Sequence, residues 1–129
     1  MSVQPTRAED ERPTPMTRCP MTAALNAIGG KWSLICLYFL DNGTRRFSEL
    51  QRLVPEVSHK VLTETLRNLE EEGLIVRTVH SIAPSHVEYE LSAHGDSVRP
   101  LMHAVREWGR QHLAAKGSPA EFRTCPTTR

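Results

Sequence analysis

The sequence predicts a mainly α-helical fold with one small β-hairpin, on three observations. Apolar residues recur at intervals of three and four in separate segments between residues 21 and 108, the spacing of one helix face. β-Branched residues and alternating polarity come together between residues 74 and 91, as strands require. Glycine, proline and hydroxyl residues punctuate these segments where helices need stops and caps.

In order along the chain, Met21, Ala24, Leu25 and Ile28 follow Cys19 and Pro20 at i, i+3, i+4 and i+7, and Gly29 stops this first helix. Across residues 31–41, Trp32, Leu34, Ile35, Leu37, Tyr38, Phe39 and Leu40 cover almost the whole circumference of a second helix, which predicts burial on most sides. Ser48 is expected to cap a short third helix, with Gln51 completing a capping box and Pro55 closing it. Ser58 caps a fourth, whose apolar stripe is Val61, Leu62, Leu66 and Leu69, ahead of Gly73. Two helices meeting across so short a turn have helix-turn-helix spacing. Strands are expected over residues 74–80 and 87–91, joined through residues 81–86, a loop containing Pro84 and too long for a two-residue turn; this is the wing. The last helical pattern starts near Ser92 and runs through Val98, Leu101, Met102, Val105 and Trp108, with Pro100 marking a kink or restart.

With 129 residues, 39% of them hydrophobic, the chain has material for one modest core, placed at residues 19–114 between flexible polar tails at 1–18 and 115–129. The longest apolar run, residues 32–40, falls well short of the roughly 20 residues of a membrane span. The first eighteen residues hold no apolar block of the secretory kind, so a cytoplasmic location is expected. Cys19, Cys36 and Cys125 form no C-x-x-C pair, which argues against a disulfide framework or a zinc knuckle. His80, His86, His94, His103 and His112 lack metal-site spacing and are read as scattered surface residues, so no metal is expected. With no phosphate-binding glycine loop and no nucleophile elbow, neither an enzyme nor a cofactor is expected. The net charge of +1 is not the strongly basic balance common in nucleic-acid binders, so charge placement must carry that argument.

Five pieces in order give a specific match: Cys19-Pro20; Gly29-Gly30-Lys31-Trp32; Arg46-Phe47-Ser48-Glu49-Leu50; Ser58-His59-Lys60-Val61-Leu62-Thr63 with Leu66-Arg67-Asn68-Leu69-Glu70; and Val87-Glu88-Tyr89 before Leu91. From Cys19 to about Trp108 the chain resembles the HxlR-type winged helix-turn-helix regulators of bacteria. It departs from them at His59, where glutamine is frequent, and at His86, where arginine is. The resemblance implies a homodimer held by its N- and C-terminal helices, with one helix per subunit in the DNA major groove and the wings alongside. It also implies, for several members, a sensing cysteine just before the first helix.

On a helical wheel, Lys60, Thr63, Glu64 and Arg67 lie opposite the apolar stripe of the fourth helix. Side chains in the N-terminal half of such a helix reach base edges, which brings in His59. Lys60 and Arg67 suit phosphates or guanine edges, Thr63 a base or thymine methyl, and the Ser58 hydroxyl with nearby N–H groups a phosphate. Arg45 and Arg46 are placed on phosphates or, alternatively, in a salt bridge near the helix start, and Ser85 and His86 are the wing contacts. The competing reading is an ordinary solvated face, in which Lys60 pairs with Glu64 and Arg67 with Glu71 for about 0.2–0.5 kcal/mol each. The short helix before and the hairpin after favour double-stranded DNA, read as a pseudo-palindromic operator with half-sites about 34 Å apart and regulated by repression.

Two readings stand for Cys19: a thiol activated by a helix start and by Arg18, or a small, partly buried residue anchoring the tail. The resemblance favours sensing of oxidants or electrophiles at Cys19; Cys125, in the C-terminal tail, is read as a resolving partner and Cys36, in the most apolar helix, as core filler. Leu101, Met102, Val105 and Trp108, together with Met21, Leu25 and Ile28, are the expected intersubunit seam, where a cavity for a small effector is also placed. A regulator answering a non-covalent ligand and a winged-helix protein-interaction module are the alternatives.

Overall fold

The computed structural model describes residues 18–82 and 85–117, with the backbone alone at 81, 82 and 85. The tails at 1–17 and 118–129, Cys125 among them, and the side chain of Ser85 lie outside the described parts. Contacts divide the chain into two units, Met1–Gly30 and Lys31–Arg129.

The first unit contributes helix α1, Pro20–Ile28. Cys19 is its extended N-cap, and Pro20 occupies the first turn, where its missing N–H costs nothing. Met21 and Leu25 are exposed.

The second unit opens with α2, Ser33–Phe39, two residues shorter at each end than expected. Its C-terminal part, Cys36 to Leu40, is buried, while Leu34 and Ile35 are half-buried. Strand β1, Arg45–Arg46, leads directly into α3, Phe47–Leu53. The expected cap at Ser48 is corrected here: the N-cap is Arg46, whose backbone N–H donates to Glu49 Oε1 at 2.8 Å. Gln51 instead donates from Nε2 to Val57 O at 2.7 Å, closing the turn between two helices. Helix α4, His59–Glu71, is capped as expected, with Val61 N–H donating to Ser58 Oγ at 3.1 Å. It ends before Gly73, whose φ of 79° puts the backbone in the left-handed region that glycine enters without strain. Its buried stripe is Leu62, Leu66 and Leu69; Val61 faces outward.

Strands β2, Ile75–Ile82, and β3, Ser85–Leu91, pair antiparallel, and β1 joins the other edge of β3, giving the order β1-β3-β2. Ile82 pairs with Ser85, so the strands run further than their alternation suggested and only two residues separate them; the long loop is corrected to a short one. The register slips between Val79 and Ser81, a bulge at His80. Helix α5, Ala93–Asp96, is a single turn, and α6, Arg99–Ala115, restarts with Pro100 in its first turn, as the sequence suggested.

Leu37, Leu40, Leu50, Leu62, Leu66, Leu69 and Met102 form the centre of the core, where α2 packs against α3, α4 and α6. Each such side chain contributes roughly 1.5–3 kcal/mol by leaving water. Asp41, the one buried charged residue described, accepts from Arg99 at its backbone and carboxylate oxygens and from His103 Nε2 at 2.6 Å. That contact fixes the end of α2 to the start of α6. Among the described residues no helix is long and apolar enough to cross a membrane.

Candidate nucleic-acid interface

With Leu62, Leu66 and Leu69 anchored in the core, α4 turns His59, Lys60, Glu64 and Arg67 to solvent, as the wheel required. Among the described residues no ion pair joins Lys60 to Glu64 or Arg67 to Glu71, and both cations are exposed. Thr63 is half-buried, and its hydroxyl donates to His59 O at 2.8 Å. It therefore has only a lone pair and a methyl group to offer a partner. The His59 ring leans on Phe47, with centroids 4.7 Å apart, which positions the first residue of α4 against the start of α3. Ser58 spends an acceptor site on its cap and keeps its hydroxyl proton.

Between this face and the hairpin runs an open groove of about 520 Å³, lined by Arg46, Phe47, His59, Thr63, Arg77 and His86 among others. A neighbouring hollow is lined by Thr63, Arg67, Glu70, Arg77 and Tyr89. Arg77 borders both, and the sequence reading missed it. The signal was present: Arg77 is two residues from buried Ile75 and opposite Tyr89, hence on the strand face turned toward α4. The two arginines of β1 diverge. Arg46 is exposed, with Nη2 donating to His86 Nδ1 at 3.5 Å. Arg45 is half-buried and donates from Nε to Phe39 O at 2.7 Å, which ties it to the end of α2 rather than presenting it to a phosphate.

Beside the groove, at the end of the hairpin, the reading of His80 and His86 as scattered residues is corrected. His80 Nε2 lies 2.8 Å from Glu88 Oε1 and His86 Nε2 lies 3.0 Å from Glu88 Oε2. Those contacts, the His86 contact first, hold the Glu88 carboxyl below its usual range despite some desolvation.

Cys19 is half-buried at the start of α1, and its thiol is lowered by hydrogen bonds from the backbone at Thr22 and then Met21, and from the Thr22 side chain. The helix amides do this; Arg18 is not among the causes. Cys36 is fully buried and pushed up to about 12 by desolvation, in keeping with core filler. Of the expected seam residues, Leu101, Val105 and Trp108 are exposed on α6 and Ile28 is half-buried on α1. Met102 is corrected from seam to core, at 2% exposure. An apolar pocket of about 100 Å³ lies between α2 and α6, lined by Leu34, Ile35, Tyr38, Phe39, Met102, Val105 and Arg106.

Comparison with known proteins agrees with this architecture. Residues 27–117 match the HxlR-like helix-turn-helix family. An uncharacterized HTH-type transcriptional regulator of Methanothermobacter thermautotrophicus is 45% identical over 94 residues, covering 73% of this chain and 72% of its own. The crystal structure of YtcD, described as an HTH-type transcriptional regulator, superposes with a TM-score of 0.70 at 42% identity, over 74% of this chain and 98% of YtcD. The redox regulator HypR in its reduced form superposes with a TM-score of 0.73 at 34% identity, over 77% of this chain and 98% of HypR. A helix-turn-helix with a hairpin wing, matched across most of its length by such relatives, places this chain in the HxlR-like helix-turn-helix family of transcriptional regulators.

Proposed function

We propose that the chain is a homodimeric repressor that reads a pseudo-palindromic operator, with α4 in the major groove, and that modification of Cys19 by oxidants or electrophiles releases it. The observation that carries the DNA reading is the outward face of α4. Lys60 and Arg67 stand exposed there, without ion pairs among the described residues, beside a groove edged by Arg46 and Arg77. Ser58 and His59 at the helix start supply the closest approach to a backbone or base edge, and Thr63 a lone pair or methyl. Dimerisation would cover Leu101, Val105 and Trp108 on α6 and Met21 and Leu25 on α1, apolar surface that water disfavours. It would also double the phosphate contacts, which a chain of net charge +1 needs. The lowered Cys19 thiol supports sensing, as does the likeness to a redox regulator.

The test is duplex binding against salt, using an operator selected from random sequence. Log affinity should fall with log salt at about −0.9 per neutralised phosphate. Lys60→Ala and Arg67→Ala should each weaken binding at fixed salt by about tenfold and flatten that slope by about one. Unchanged affinity in both variants removes the assignment of α4. Oxidant should release the wild type and leave Cys19→Ser bound; equal release of both removes the thiol.

The pocket between α2 and α6 favours a second reading, a non-covalent effector, because the Arg106 side chain at its edge has a buried Nε without a hydrogen-bond partner among the described residues. A small apolar molecule carrying one acceptor would satisfy it.

A further inference from the structure

We propose that the hairpin is a binding site for a divalent transition-metal ion of the zinc class, with His80, His86 and Glu88 as its ligands. One ligand atom from each residue lies within 4.8 Å of the others, and this is the His/Cys/Asp/Glu trio that comes together so closely among the described residues. Zinc holds imidazole nitrogen and carboxylate oxygen at about 2.0–2.2 Å, which puts neighbouring donors of a tetrahedron roughly 3.3 Å apart. The two nitrogen-to-oxygen separations, 2.8 and 3.0 Å, end on different oxygens of the one carboxylate and would open by a few tenths of an ångström, while the widest separation in the trio, within 4.8 Å, would close as the two imidazoles swing onto the ion.

The hairpin is built to make this meeting. His86 and Glu88 are two apart on β3 and so share a face. The bulge at His80 takes that residue out of the ladder, and its ring reaches back over Glu88 while lying 4.8 Å, centroid to centroid, from the His86 ring. Here two imidazoles converge on one carboxylate, giving two nitrogen donors and an anion with open positions for water. Imidazole with carboxylate suits zinc and its late first-row neighbours better than the hard, oxygen-seeking magnesium or calcium. Arg46 meets His86 at Nδ1, on the opposite side of the ring from the nitrogen offered to the ion.

That placement gives occupancy a consequence. Without metal, His86 donates from Nε2 to Glu88, which leaves Nδ1 as an acceptor for the Arg46 guanidinium. With Nε2 bound to an ion, the neutral ring carries its proton on Nδ1 and becomes a donor there. Donor then faces donor, and Arg46 turns away from the hairpin toward the groove it borders. This last step alone rests on the DNA reading.

Zinc titration of the full chain against a chromophoric chelator tests the site. One ion per chain is expected, retained in Cys19→Ser and weakened at least tenfold by His80→Ala or His86→Ala; Glu88→Gln should weaken it also. Circular dichroism confirms the fold of each, and His86→Gln, which keeps a hydrogen-bonding side chain, repeats the measurement should the alanine variant unfold. No zinc binding by the wild type, or undiminished binding by the double variant His80→Ala/His86→Ala, overturns the proposal. Zinc should also shift duplex affinity in the wild type and not in the double variant or in Arg46→Ala. Absence of that shift while zinc binds overturns the link to Arg46. Failure of the DNA reading itself would show as no duplex binding with or without zinc, with the chelator titration unaffected.

Discussion

At Asp41 a carboxylate that is 5% exposed takes a negative charge into the junction of α2 and α6. Desolvation pushes its pKa up, but hydrogen bonds from His103 and Arg99 and their charges outweigh that and hold it below the usual carboxylate range. An acid depressed in the folded state stabilises it fully above the unfolded value, about 3.9, and loses that contribution as pH falls through the folded one. The melting temperature should therefore drop on acidification below about pH 4 in the wild type, and less steeply in Asp41→Asn. At neutral pH that variant should cost about 1–2 kcal/mol, less than a fully buried pair because Arg99 and His103 are partly in water. At α4 local chemistry was legible in the sequence: Ser58 caps a helix three residues away, and the outward face follows from its own apolar spacing. Residues whose partners are distant were not. Arg45 and Arg46 meet β3 more than forty positions away, and His80 meets His86 and Glu88 only because a bulge turns it there.

Between elements, a tight joint lies where α5 meets Leu74, the residue that leads into β2. A Cβ built on Gly95 would stand 1.9 Å from Leu74 O, and backbone cannot yield as a flexible side chain would. The same stretch is held by Ser92, whose N–H donates to Leu74 O at 3.0 Å and whose hydroxyl donates to Gly73 O at 2.6 Å. Gly95→Ala should therefore destabilise by about 1–3 kcal/mol in urea unfolding, although alanine is the better helix former. An unchanged unfolding midpoint would show that α5 can lift away. Helix order was legible because apolar spacing repeats through each segment between its stops, over more than three turns in α4 and α6. The ends were not: the cap at Arg46 depends on Glu49 reaching back, and the strand ends depend on cross-strand pairing that alternation within one strand does not specify.

For the whole molecule, the core leucines of α2 and α4 were legible from the apolar spacing of those helices, whereas Leu50 was not assigned and Val61, read as part of the inward stripe, faces outward. What a single chain could not separate was core from seam on α6, where Met102 turned inward and Leu101, Val105 and Trp108 did not. Trp108 is 64% exposed and stacks on His112, so Trp108→Glu should leave folding intact. Sedimentation should then show a monomer with weakened duplex binding, whereas a dimer of undiminished affinity would place the seam elsewhere. Finally, the short stretch from Phe39 to Asp41 is gripped from two directions. Arg45 of β1 holds the Phe39 carbonyl, and Arg99 of α6 holds Asp41. Three residues of backbone thus act as a fulcrum: a tilt of α6 bears on the same peptide segment that steadies the strand beside Arg46.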